Sequence, residues 1–418
     1  MNDIQYGQSC EIEITDIAFG GEGVGRVDGC VVFVPFVLPG ERVRATVRKR
    51  RKRYYFAELD EVLEPAPERV EPFCRFFGQC GGCQYQHMSY ASQLAAKRKQ
   101  VRDMMQRIGA FGADLPVAPV VPSPRTSRYR NRIDLHPHPD GYYGFCVRGR
   151  PREIFPLTDC PLFELERDLS GYPLRQLDHL LVVRTHDGSP YCYFKDDHNN
   201  VRSAPFDLDT QTPMADETVR FAVGELSLSA HYGGFFQVNR WILPEFVATV
   251  RSIAAPQPDD ALLDVYCGVG LFGLALAGDV ASVRGVEMQA DCIEFARRNA
   301  RALGSGNAEF TAATAEAYLR ALVEAGEQAS LCLVDPPRNG LTNKVVSALK
   351  RLRPQRLVYI SCGPDTFARD ARKLVDRGYA LETIQPLDLF PNTKHVELVA
   401  RFVDQGEPVG SELGASVD

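Results

Sequence analysis

The chain has 418 residues, 44% of them hydrophobic, with a net charge of −6 and 12 cysteines; that length argues for two or three domains, and the mild acidity excludes a chain that is basic throughout. No run is long and apolar enough to span a bilayer, and the polar start MNDIQYGQSC lacks the apolar segment of a secretory signal. A cytoplasmic protein is expected, whose cysteines serve metal, catalysis or packing rather than disulfides.

Residues 1–62 read as a small β-barrel. Alternating stretches recur at 10–14, 29–34, 42–47 and 54–59, and the glycine-rich stretch 20–25 reads as a turn. The run RKRRKR at 48–53 precedes Tyr54, Tyr55 and Phe56. Cations neutralise phosphates and rings stack on bases, so single-stranded RNA is the expected partner, with a solvated hairpin as the plain alternative. The segment resembles a TRAM domain, most specifically at 16–26 and 33–41.

Pro65 and Pro67 mark a linker. Cys74, Cys80 and Cys83 follow within ten residues, and Gly81 and Gly82 let the backbone wrap round a shared centre. Cys160, on a proline-bounded turn, is a candidate fourth ligand, and Cys146 is its rival. Four thiolates suit zinc or an iron–sulfur cluster, and three close cysteines with one distant lean toward the cluster. From 89 to 108 the period is helical. Leu94, Val101, Met104 or Met105 and Ile108 make an apolar stripe, and Lys97, Arg98, Lys99, Arg102 and Arg107 a basic face expected to be solvated. Residues 128–230 alternate β-like patterns with turns and offer no catalytic constellation.

Beyond His231, strands alternate with helices, the texture of a parallel doubly wound sheet. The strand 261–265 runs into Tyr266, Cys267 and the glycines 268, 270 and 273, which let backbone approach a ligand. Glu287 ends the next strand and suits ribose hydroxyls. As a bare pattern these glycines fit a dinucleotide. Asp264 ahead of them, and Asp335-Pro-Pro-Arg338 after strand 331–335, favour S-adenosylmethionine instead. The strand 357–360 is stopped by Gly363 and Pro364, leaving Cys362 at its C-terminal end, where ligands bind in open α/β sheets. Carbon 5 of a pyrimidine cannot attack a methylsulfonium until a thiolate adds to carbon 6, and a base must then remove the carbon 5 proton. Cys362 supplies the thiolate. Glu397, expected to share a face of the last strand with His395, is the candidate base, and His395 is its rival.

On these motifs the chain is similar to the RNA 5-methyluridine methyltransferase family, in the form with a TRAM domain and a [4Fe–4S] cluster. The motifs are Cys74-x5-Cys80-x2-Cys83 with Cys160, FFQVN at 235–239, DVYCGVG at 264–270, GVE at 285–287, DPPR at 335–338, SCGP at 361–364 and HVE at 395–397. The resemblance implies Cys362 as nucleophile and Glu397 as proton acceptor. It implies Gln237, Tyr266, Glu287 and Asp335 as S-adenosylmethionine contacts, and Cys74, Cys80, Cys83 and Cys160 as cluster ligands. The chain departs from the family at Gly363, where Asn is usual, and at Leu271 and Thr314, where Asn often contacts the cofactor.

The expected architecture is a multi-domain α/β chain. A TRAM/OB-like barrel covers 1–62, and a mostly-β iron–sulfur and RNA-binding domain covers 63–91 and 124–230. A Rossmann-like class I methyltransferase domain covers 92–123 and 231–403, and a disordered tail 404–418. The implied activity is S-adenosylmethionine-dependent formation of 5-methyluridine in RNA, with 23S ribosomal RNA as target and tRNA as the alternative. An oxidoreductase using NAD and an iron–sulfur centre, and a non-catalytic RNA-binding protein, are the readings of other classes. No membrane and no obligate protein partner are expected.

Overall fold

The computed structural model describes residues 4–406, except 52–53, 157, 165–177, 185–189, 199, 209 and 215. The tail expected to be disordered lies outside the described residues from 407 onward. Among the described residues no helix is long and apolar enough to cross a membrane.

Strands β1 (Ser9–Ile17), β2 (Glu22–Val27), β3 (Cys30–Pro35), β4 (Arg42–Arg51) and β5 (Tyr54–Glu64) close a barrel in the order β1-β2-β3-β5-β4. Ile12, Ile14, Val32, Val34, Val43 and Ala45 fill it. The glycine-rich stretch taken for a turn is largely strand β2. Its glycines make room rather than bends: a Cβ on Gly23 would lie 2.2 Å from Val37 Cγ2, and one on Gly25 2.3 Å from Ile12 Cγ2. Phe33, Tyr54 and Phe56 group on the outside, with ring centroids 5.4 to 5.7 Å apart. Buried Glu41 fixes the barrel exit by accepting from Leu38 N at 2.7 Å and from both Arg69 Nε and a terminal Arg69 nitrogen.

Helix α1 (Tyr90–Arg107) begins at Ser89, whose hydroxyl accepts from Ser92 N. Its buried face differs from the expected stripe. Gln93, Ala96, Lys97, Gln100, Val101 and Met105 face inward, and Ile108 is exposed. Lys97, expected in solvent, is fully buried because it meets Asp388 at 2.6 Å and donates to Phe390 O at 3.1 Å. A polar face can be a core face when every group on it finds a partner.

The central strands β6 (Arg132–His138), β7 (Tyr142–Val147), β8 (Arg150–Pro156), β9 (His179–Arg184), β10 (Pro190–Lys195) and β11 (Phe206–Asp207) make one sheet, ordered β11-β10-β9-β6-β7-β8. A hairpin of β12 (Thr218–Val223) and β13 (Leu226–His231) packs into the core of the C-terminal sheet. Phe221 stacks on Phe236 there at 3.8 Å.

The remaining elements are α2 (Leu243–Ala254), β14 (Ala261–Val265), α3 (Leu271–Leu276), β15 (Ser282–Glu287), α4 (Ala290–Ala302), β16 (Ala308–Ala312) and α5 (Ala315–Glu324). Then come β17 (Leu331–Val334), α6 (Asn343–Leu352), β18 (Arg356–Ser361), α7 (Pro364–Val375), β19 (Tyr379–Leu387) and β20 (Glu397–Asp404). The sheet runs β16-β15-β14-β17-β18-β20-β19, and β20 runs antiparallel to both of its neighbours, β18 and β19. β17 and β18 are buried along almost their whole length, which is why they read as unbroken apolar runs.

Candidate active site

The register of the sheet assembles the site. Val265 pairs with Val286 on one side and Val334 on the other, and Val334 pairs with Tyr359. The residues one step beyond, Tyr266, Glu287 and Asp335, therefore share the C-terminal edge. Ser361 pairs antiparallel with Leu398, so one further step sets Cys362 opposite Glu397. The last strand starts at Glu397, and His395 lies in the loop before it, so the two do not share a strand face as expected. His395 packs against Phe390 instead.

Burial decides the chemistry of these groups. Cys362 is half-buried, and its thiol is pushed up to about 11, first by burial and then by Glu397, while Arg338 acts in the opposite direction. Buried Glu397 is held well above the usual carboxylate range by burial and then by Asp335. Asp335 is raised to about 7 by burial, Asp264 and Glu287, and Asp264 to about 7 by burial and Glu287, although Gly273 N donates to it at 2.9 Å. Four carboxyl groups thus crowd one edge. Arg338 is exposed, makes no ion pair among the described residues, and belongs to a loop whose carbonyl lies 3.8 Å from a Cβ built on Gly363. His395 is pushed down to about 4 by burial and then by Arg338 and Lys394, so its imidazole is neutral at pH 7.

The glycine loop has the form the sequence implied. Tyr266, Gly268 and Gly270 all take positive φ, turning the chain sharply from β14 into α3. Gly273 is fixed by contact, since a Cβ there would meet Asp264 Oδ2 at 2.8 Å. Asp264 therefore organises the loop, a role the sequence reading did not give it.

Residues 201–402 match the family model described as tRNA (Uracil-5-)-methyltransferase, and residues 5–59 match the TRAM domain. An uncharacterised RNA methyltransferase of Halalkalibacterium halodurans is 32% identical, over 93% of this chain and 96% of its own. The chain belongs to the RNA uracil-5-methyltransferase family. A second such relative of this methyltransferase, from Thermosynechococcus vestitus, is 33% identical over 95% and 98% of the two chains. The tRNA (uracil-54, C5)-methyltransferase of Pyrococcus abyssi, solved with S-adenosyl-L-homocysteine, is 26% identical. It superposes with a TM-score of 0.65, over 94% of this chain and 100% of its own.

At the three positions where the resemblance implies Asn, the residues present have local structural roles. Thr314 is the N-cap of α5, accepting from Ala317 N at 3.3 Å. Leu271 is buried in the core. A side chain at Gly363 would bring its Cβ within 2.8 Å of Thr366 Oγ1, which donates to Gly363 O. Gln237 lies in an irregular segment between β13 and α2 that is tied to its neighbours: its carbonyl accepts from Asn131, and Asn239 donates to Leu389 O at 2.9 Å. Among the described residues its side chain makes no hydrogen bond to Tyr266, Glu287 or Asp335.

Cys74, Cys80, Cys83 and Cys160 of the methyltransferase line one cavity of about 340 Å³, with Cys146 also on its wall. Burial, then neighbouring Cys160, pushes Cys83 up to about 12, and burial pushes Cys80 up to about 11. Arg128 grips Asp159 with two nitrogens, at 2.8 and 2.9 Å, and so fixes the turn that presents Cys160. The buried Gln86 amide nitrogen has no hydrogen-bond partner among the described residues, and the Gln86 side chain favours the ionised form of Cys83. Among the described residues no three His, Cys, Asp or Glu side chains close on a single metal ion. The thiols ring a space rather than a point.

Proposed function

We propose that this chain transfers a methyl group from S-adenosylmethionine to carbon 5 of a uridine in RNA, making 5-methyluridine. The observation that carries the reading is the register setting Cys362 against Glu397 at a carboxylate-rich sheet edge. The Cys362 thiolate, its proton given up to solvent, adds through Sγ to carbon 6, and the π electrons move toward O4 as an enolate. When bound, S-adenosylmethionine supplies an electrophilic methyl group to carbon 5 and leaves as a neutral thioether. Glu397 then takes the carbon 5 proton; the freed pair re-forms the double bond and expels the Cys362 thiolate. Burial makes Glu397 a weak acid. A carboxylate formed there against a bound cation becomes a stronger base once that charge is gone, which is when the proton must leave. Arg338 supplies positive charge where thiolate and enolate develop.

Gln237, Tyr266, Glu287 and Asp335 would hold S-adenosylmethionine. Its sulfonium and ammonium charges suit this acidic edge, whereas the pyrophosphate of NAD would be repelled, which weighs against the oxidoreductase reading. Cys74, Cys80, Cys83 and Cys160 would hold a [4Fe–4S] cluster. A ring of thiols around a cavity and an unpartnered amide donor suit a polynuclear group better than one zinc ion. Its contribution would be structural. The barrel at 1–62 and the central domain would grip RNA on either side of an unpaired or flipped uridine. Large-subunit ribosomal RNA is the target in this reading; tRNA is the second, favoured by the names of the matched family and of the Pyrococcus enzyme.

RNA carrying 5-fluorouracil, incubated with the protein and S-adenosylmethionine, is expected to form a covalent complex. No complex, or one that survives Cys362→Ala, overturns the mechanism. Mass-spectrometric mapping of 23S and transfer RNA methylated side by side decides the target.

A further inference from the structure

The loop from Asp388 to Val396 crosses from β19 to β20 and delivers Glu397. It contains no regular structure, so its shape must come from elsewhere. Asn392 sits at its middle, 3% exposed, with φ of +67°. That left-handed conformation is strained for any residue but glycine, and asparagine tolerates it best. Strain of this kind persists only where surrounding contacts over-determine it.

Here they do. Asn392 O accepts from Gln84 N and Tyr85 N, each at 3.0 Å. Asn392 N donates to Gln93 Oε1 at 2.8 Å, and Asn392 Oδ1 accepts from Gln93 Nε2 at 3.1 Å. Asn392 Nδ2 donates to Thr126 O at 2.6 Å. Every polar atom of the residue is engaged, by three segments remote in sequence. Gln84 makes a second fastening, accepting from Lys394 N at 3.0 Å, and Tyr129 donates to Pro391 O at 3.0 Å. Gln84 directly follows Cys83, so the strap that holds the loop starts at the wall of the thiol cavity.

We propose that Asn392 and Gln84 are positioning residues for the last chemical step: they fix the loop that aims Glu397 at the carbon 5 proton. Neither touches the reacting atoms. The inference rests on the mechanism proposed above, in which Glu397 acts only after the methyl group has arrived. A displaced Glu397 therefore spares the addition of Cys362 and the methyl transfer, and slows release alone. A general loss of structure would slow all three.

Asn392→Gly keeps the left-handed backbone and deletes the side chain; Gln84→Ala removes the bond from Lys394 N, together with the one Gln84 Nε2 donates to Gly81 O at 2.9 Å. Both go into the full-length protein. With 5-fluorouracil RNA, which stops every turnover at the covalent stage, both variants are expected to form the complex at the wild-type rate. With ordinary uridine RNA, both are expected to accumulate a covalent complex already carrying the methyl group, its release slowed about 10- to 100-fold. Release at the wild-type rate in both overturns the proposal. So does an equal loss of complex formation with the fluorinated RNA. If Asn392→Gly does not fold, Gln84→Ala decides by the same two readouts. Failure of the wild-type protein to form the fluorinated complex removes the underlying mechanism, and the proposal with it.

Discussion

Cys362 combines access with a poor ionisation state, and that pairing has consequences for pH. With its thiol near 11, only about one molecule in 10⁴ carries the thiolate at pH 7. Alkylation of Cys362, followed by peptide mass spectrometry, is expected to rise roughly tenfold per pH unit from about 7 to 10. Arg338 favours the thiolate, so Arg338→Met should slow alkylation at every pH in that window. A flat profile, or an unchanged rate in the variant, would contradict this electrostatic account. Asp264 and Asp335 make the opposite case, because both carboxyls are raised to about 7, above the unfolded value near 4. Their neutral forms favour the folded state at low pH, and that stabilisation is lost as pH rises through about 7. A cation at the sheet edge reverses the preference and expels protons as it binds. S-adenosylmethionine affinity should therefore climb between about pH 5.5 and 8 and exceed the gain for S-adenosylhomocysteine, which lacks the sulfonium charge. Titration calorimetry in buffers of different ionisation enthalpy reads the released protons directly.

At the scale of elements, α1 shows how a segment distant in sequence becomes part of the catalytic unit. Lys97 and Asp388 are both fully buried, and Lys97 also holds the loop carbonyl of Phe390. Lys97→Met would leave Asp388 buried without its cation, a loss of about 3–5 kcal/mol. The double substitution Lys97→Met with Asp388→Leu should recover much of it, since neither charge is then stranded. Denaturant unfolding of the two variants tests the difference, and equal losses would mean the pair is not coupled. The sequence resemblance groups 92–123 with the catalytic domain, but the buried pair of Lys97 and Asp388 was not legible in it. A period of 3.6 marks a buried face only when that face is apolar, and Gln93, Lys97 and Gln100 are buried through partners up to 299 residues away. The strands of the sheet were legible because burial on both faces leaves an unbroken apolar run. Cys362 and Glu397 are singled out in the sequence by the demands of carbon 5 chemistry, and the register sets their positions opposite each other, which spacing alone did not give. Strand β2 was misread because glycine serves tight packing as readily as turning, and the one-dimensional pattern is the same. Asn392 carries no motif of its own; its importance lies in a backbone angle and in bonds to 84–85, 93 and 126.

In the whole molecule the barrel is fastened to this catalytic unit rather than merely tethered. Lys99 on α1 meets Asp16 at 2.8 Å, Gln100 donates to Ala18 O at 3.0 Å, and a Cβ on Gly21 would lie 3.0 Å from the Tyr85 ring. The turn after β1 thus rests on the same strap that holds Asn392. The aromatic group of Phe33, Tyr54 and Phe56 is consequently carried at a fixed place relative to Cys362, with the exposed cations of 48–51 beside it. Such a platform adds base stacking to phosphate attraction, and the two contributions separate by salt. Tyr54→Ala removes a ring and no charge, so it should weaken RNA binding by about 1–3 kcal/mol and leave the salt dependence unchanged. Lys49→Ala removes a charge and no ring, so it should lower the slope of log affinity against log salt by about 0.7 for a single strand. Neither should alter S-adenosylmethionine affinity, because both lie on the barrel. Filter binding across a salt series, with calorimetry for the cofactor, distinguishes them. If Tyr54→Ala instead changed the salt slope, or left RNA affinity untouched, the barrel would be acting through charge alone, and the aromatic group would be packing rather than a platform.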